Sequence, residues 1–124
     1  MSHRIDSQFV HVAENEDFQQ KVSASKQIID ADIKKFQSYC RKNDEDGFLS
    51  DICSAVSGGQ YVFPQGHEKE YWEQSGNKEK EIFANYYSLK AFKDTEKLNF
   101  LKENLPEVFQ GCDDFIKQLH GEEK

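Results

Sequence analysis

The residues best suited to chemistry lie in the run QGHEKEYWEQSGNKEKEIFANYYSL, positions 65–89. Zinc peptidases of the His-Glu-x-x-His type place two histidines one helical turn apart, on one face, to bind the metal. The glutamate between them activates the metal-bound water, and a later glutamate supplies a further ligand. His67-Glu68-Lys69-Glu70-Tyr71 opens such a motif, but Tyr71 stands where the second histidine belongs. Glu81, ten residues beyond Tyr71, is placed as a third ligand would be. On this reading His67 and Glu81 hold zinc and Glu68 is the general base of a hydrolase. A plainer reading competes with it. One histidine and one glutamate are too few for a closed or a catalytic zinc site. His67, following Gly66 in a turn, then only hydrogen-bonds a carboxylate such as Glu81, and no cofactor is expected. Tyr71 and Trp72 are core or groove anchors, the pair best suited to meet a partner.

Other constellations are thinner. Asp44, Asp46 and Asp51 lack the loop length and closing glutamate of an EF-hand. Ser54, Ser57 and Ser88 have no nucleophile-elbow context. Cys40, Cys53 and Cys112 have no sequence neighbour that would lower a thiol pKa. His3, His11 and His120 fall in polar ends.

The elements that must position these residues read as helices. From 17 to 42 the residues Val22, Ile29, Ile33, Phe36 and Cys40 recur on one helical face, which predicts one long helix. KNDEDG stops it. A short second helix follows, capped by Ser50 or Asp51, with Leu49, Ile52, Cys53 and Val56 on one side and Gly58-Gly59 at its end. QYVFP, 60–64, is expected as an extended connector or a very small β element, because an unpaired ribbon is not stable. His67 to Glu73 spans one or two helical turns. Asn77 is a good N-cap for a helix over 78–93. Thr95 should cap a fifth helix to about Asn104. Pro106 suits the first turn of a sixth, striped by Val108, Phe109, Cys112, Phe115, Ile116 and Leu119. Gly111 weakens that helix by roughly 1 kcal/mol relative to Ala. The expected fold is all-α: one compact domain of five to six helices over 16–120, a flexible segment at 1–15 and a disordered tail at 121–124.

Composition narrows the function classes. The 124 residues are 36% hydrophobic, with ten Phe, five Tyr and one Trp to fill a core. The formal net charge of −7, with no Lys/Arg block, disfavours direct contact with a phosphate backbone and suits a basic protein partner. Three cysteines without a Cys-x-x-Cys pair argue for buried free thiols in a reducing compartment rather than a disulfide scaffold. No apolar run approaches the ~20 residues that span a bilayer, and the N-terminal stretch lacks the apolar core of a signal peptide. No membrane is expected, and a cytoplasmic origin is.

Four pieces in order, FLSDICSAVSGGQY, GHEKEYW, NKEKEIFANYYSL and LNFLKENLPEVFQGCDDFIKQL, resemble the C-terminal region of phage minor head proteins, the Mu F-like, portal-associated proteins of tailed phages and prophages. The resemblance runs from about residue 32 to 119, and Gly66, His67, Tyr71, Trp72, Glu81, Phe83 and Ala84 match position by position. It implies a role in virion assembly or DNA delivery near the portal, with portal or capsid proteins as partners, in the host cytoplasm or the virion. It also implies a degenerate metallopeptidase-like element at the Gly-His and Glu-x-Phe-Ala positions. That family's long N-terminal head domain has no counterpart here, which implies an excised domain or a free-standing module.

Three functions follow as expectations: a non-enzymatic interaction module of phage or prophage origin using Tyr71, Trp72 and the Glu81 helix; a zinc-dependent hydrolase using His67, Glu81 and Glu68; and an acidic inhibitor or immunity-type protein that blocks a basic partner by charge complementarity.

Overall fold

The computed structural model describes residues 15–61, 63 and 76–122, with side chains to Gln118. These residues form six α-helices: α1 (Glu16–Ala31), α2 (Ile33–Asn43), α3 (Phe48–Ser57), α4 (Asn77–Ala91), α5 (Thr95–Asn104) and α6 (Pro106–Glu122). The all-α expectation holds. Gln60, Tyr61 and Phe63 are not in strand conformation, and no strand occurs among the described residues.

The architecture is organised around α3. Leu49, Ser50, Ile52, Cys53, Ser54, Ala55, Val56 and Ser57 are all buried, so this helix has almost no solvent side. A helix apolar or small on every face belongs inside a fold. Its Ser and Ala positions let neighbours approach closely. α4 forms the most extensive contact with it, α1 lies on another side, and α2 joins at the corner. α6 closes the bundle against α1 and α5. The buried side chains make one cluster, from Phe18 in α1 to Phe115 in α6. The one-sided burial expected for the second helix is therefore corrected to burial all round.

Both ends of α3 must then be satisfied from within the protein, since a buried helix terminus leaves orphan N–H and C=O groups. At the N-terminus the Asp44 carboxylate does this. It accepts from Leu49 N at 3.2 Å and from Ser50 N at 2.6 Å, while Gly47 turns the chain at φ 83°. The cap is thus Asp44, upstream of the turn, and not Ser50 or Asp51, which lie inside the helix. At the C-terminus Gly58 (φ 67°) and Gly59 (φ 80°) give the bonds Gly58 N to Ala55 O at 3.0 Å and Gly59 N to Ser54 O at 3.1 Å, the pairing of a Schellman turn. Here the expected Gly-Gly stop is what forms.

Two other expected caps shift by one residue. Asp94, not Thr95, caps α5, accepting from Lys97 N at 3.3 Å and pairing with Lys97 Nζ at 2.7 Å. Gly76, in the left-handed region at φ 83°, occupies the cap position before α4, and Asn77 is its first helical residue. The single helix expected over 17–42 is broken at Asp32 (φ −148°, ψ 55°). Asp30, in the last turn of α1, is held by Lys26 at 3.0 Å and by the Tyr61 hydroxyl at 2.8 Å, and Asp32 occupies the N-cap position of α2 without a side-chain cap hydrogen bond. Asn15 caps α1 through Phe18 N at 2.9 Å. The α6 backbone stays helical to Glu122, two residues into the segment expected as a tail.

Gly111 is more than a weak point in α6. A Cβ built there would lie 2.8 Å from Phe18 Cδ1 and 3.1 Å from Lys21 Cδ, so its bare backbone is what lets α1 cross α6. Gly111→Ala should destabilise the protein by about 1–3 kcal/mol despite the better helix propensity of Ala. Asp44→Ala should cost about 2–3 kcal/mol, with Asp44→Asn recovering part of it. Urea unfolding monitored by circular dichroism checks both; an unchanged midpoint in Asp44→Ala would show that the α3 terminus finds its partners elsewhere.

Candidate functional site

Of the residues singled out in the sequence, His67, Glu68, Tyr71 and Trp72 lie outside the described residues. Glu81 is described. It sits in the second turn of α4, half-buried, and its backbone carbonyl accepts from Asn85 Nδ2 at 2.7 Å. Among the described residues, no group of three His, Cys, Asp or Glu side chains could hold a metal ion.

The three thiols are buried. The Cys53 pKa lies well above the ordinary thiol range, because its thiol is hydrogen-bonded with Cys40 and because it is buried. Burial, helped by the Asp113 charge, does the same for Cys112. A protonated, inaccessible thiol is neither nucleophile nor ligand. The serine hydroxyls turn to the backbone: Ser57 donates to Ser54 O at 2.9 Å and Ser88 to Ala84 O at 3.1 Å.

Two surface features remain that sequence reasoning did not single out. The first is a groove of about 330 Å³ lined by Tyr87, Lys90 and Ala91 of α4 and by Asp113 and Ile116 of α6. α4 and α6 run antiparallel here, as the ring pairs Phe83–Phe115 at 5.2 Å and Tyr86–Phe109 at 5.5 Å show. Asp113 sits between Lys90 at 3.7 Å and Lys117 at 3.4 Å. Both pairs are solvent-exposed enough to contribute little. Beneath them Tyr86 is fully buried, and its hydroxyl lies beside the Asp113 carboxylate without closing a hydrogen bond. Burial first, and the Asp113 charge second, push the phenol well above its ordinary pKa.

The second is Phe92, 71% exposed, stacked on Phe48 of α3 with centroids 5.8 Å apart and planes 16° from parallel. It sits at the end of α4, where Lys93 takes φ 56°. Lys93 N bonds Lys90 O at 3.1 Å and Asp94 N bonds Leu89 O at 3.0 Å. This is again a Schellman turn, with lysine in the place that glycine usually fills. A non-glycine residue there costs of order 1 kcal/mol. The adjoining loop carries Glu45 and Asp46, and the charges of Asp44 and Asp46 reach Lys97. Nothing in the apolar periodicity of α4 marks Phe92, because its side chain lies past the last helical residue.

No protein-family model, curated protein or solved structure matches the chain. No helix among the described residues is long and apolar enough to cross a membrane.

The buried phenol of Tyr86 gives a direct test of whether this groove is built around a hydroxyl. If Tyr86 serves as core, Tyr86→Phe should change stability by less than about 1 kcal/mol, whereas Tyr86→Ala should cost about 3–5 kcal/mol. A loss above about 2 kcal/mol in Tyr86→Phe would mean that the hydroxyl closes a hydrogen bond to Asp113 in solution.

Proposed function

We propose that the chain is a non-enzymatic protein-interaction module, of the kind that its resemblance to phage minor head proteins implies. The observation that carries this reading is Phe92. It is 71% exposed and stacks on Phe48 beside the positive-φ turn at Lys93. A phenyl ring held in water contributes little to the free chain, whereas covering it gains about 1.5–3 kcal/mol. Aromatic anchors of this kind account for much of the binding energy at protein interfaces.

The partner that suits this surface presents an apolar pocket rimmed by basic side chains. Phe92 fills the pocket, and the acidic loop at 45–46 together with the net charge of −7 meets the rim. Portal and capsid proteins are the partners that the resemblance points to. The catalytic alternative needs His67 and Glu81 on a zinc ion, with Glu68 as base, and Tyr71 and Trp72 remain candidates for partner contact.

Co-expression of the full chain with phage portal and capsid proteins tests this reading. A complex should co-purify, and Phe92→Ser should weaken it about tenfold or more while moving stability by no more than about 0.5 kcal/mol. Failure of both proteins to bind would remove the virion role. About one zinc per chain in protein purified without added metal, lost in His67→Ala, would favour the hydrolase instead.

A further inference from the structure

We infer that the groove between α4 and α6 receives a lysine side chain of a protein partner, with Asp113 as its counter-ion. The chain itself shows which group the groove takes. Lys90 of α4 holds its ammonium over two ring faces, 5.8 Å from the Tyr86 centroid and 6.0 Å from that of Phe109, and 3.7 Å from Asp113 Oδ1. Aromatic faces closed by a carboxylate are the chemistry that recognises an alkylammonium group. Phe109 carries a second ammonium, Lys102 Nζ at 5.9 Å, and Asp113 a second partner, Lys117 Nζ at 3.4 Å. Tyr87, Ala91 and Ile116 supply the apolar part of the lining, which suits the methylene stem that carries such a head.

The resident cations are weakly held. The Lys90 and Lys117 side chains are 42% and 73% exposed, and ion pairs that exposed contribute little. Asp113 keeps 26% of its side chain accessible, so its carboxylate is within reach of a guest. An incoming lysine takes the place of the Lys90 ammonium, which returns to water on its flexible stem. The groove volume of about 330 Å³ lies at the small end of ligand pockets, which run from roughly 300 to 1,000 Å³. It is an open groove, and this favours a side chain presented by a protein over a free amine. A small amine has few atoms to cover there, whereas a partner adds contacts outside the groove. The net charge of −7 draws a basic surface towards the chain. The inference rests on the reading of the chain as an interaction module, and it adds to Phe92 a site for one basic residue of the partner.

The test is an NMR titration of the isotope-labelled full chain with two blocked peptides, acetyl-Gly-Lys-Gly-amide and its norleucine counterpart, which lacks the ammonium. At millimolar concentration the lysine peptide should shift the amides of Tyr87, Lys90, Ala91, Asp113 and Ile116, and the norleucine peptide should not. Lys90→Ala, which removes the resident ammonium, should tighten lysine-peptide binding about threefold, and Asp113→Asn should weaken it by a similar factor. Equal binding of the norleucine peptide, shifts that Asp113→Asn does not reduce, or no shift even in Lys90→Ala would overturn the inference. Saturation by n-butylammonium at micromolar concentration would also overturn it, because the groove would then be a site for free amines. These probes need no partner, so their failure is distinguishable from a failure of the co-purification that tests the interaction reading.

Discussion

The structure depends on one constraint: a ten-residue helix is buried on every side. α3 brings few large side chains of its own, so its neighbours must come close, and Ser50, Ser54, Ala55 and Ser57 permit it. The cost of placing such a helix in the interior is electrostatic rather than steric. Its first amides and last carbonyls have no water to turn to. Asp44 from one side and the Gly58-Gly59 turn from the other answer this. Asp44 can do so only as an acceptor, and it is itself 4% exposed, so carboxylate and helix terminus desolvate together and satisfy each other.

The same economy governs the other corners. Asp94 ends α4 through its backbone N–H and opens α5 through its carboxylate. Its pKa is lowered chiefly by the Lys97 hydrogen bond. A carboxyl held below its unfolded value adds stability above that unfolded value and loses it as pH falls through the folded one. Leu105 alone separates α5 from α6, with Leu105 N bonded to Leu101 O at 2.7 Å and Pro106 opening the next helix. Short corners of this kind leave little freedom in how successive helices cross. Gly111 can therefore sit where Phe18 needs space.

Much of this was legible in the residues, and the reasons for the misses are specific. Helix identity follows from apolar spacing: Val22, Ile29, Phe36 and Cys40 are all buried, as their periodicity requires. Gly58-Gly59 and Pro106 act where their backbone chemistry places them. What periodicity cannot supply is the source of a cap. Ser50, Asp51 and Thr95 were plausible donors of oxygen at helix starts, but the structure draws on Asp44 and Asp94, because a cap residue precedes the first helical turn and Gly47 lengthens the approach to α3. Nor does periodicity show a break inside an unbroken stripe, as at Asp32. The buried rear face of α3 was hidden because serine reads as polar by type, although the Ser57 hydroxyl is satisfied within its own helix and the Ser50 hydroxyl is buried without a hydrogen bond. Of the candidate site, only Glu81 falls within the described residues, so the reading from spacing and the reading from geometry meet at a single side chain.

Several polar groups of the described residues are directed inward. Asp44 and Asp94 are committed to amides, Ser57 and Ser88 to carbonyls, the three thiols are buried, and the Tyr86 phenol is enclosed beneath Asp113. Groups spent on architecture are poor acids, bases and nucleophiles, since each would have to give up a structural partner in order to react. The large apolar side chains that face outward among the described residues are aromatic: Phe92 on Phe48, and Tyr87 at the rim of the α4–α6 groove. Fixed apolar surface changes free energy only when something covers it. Among the described residues the large hydrophobic side chains left exposed are Phe92 and Tyr87, and the Lys93 turn beside Phe92 takes a positive φ at some cost in stability.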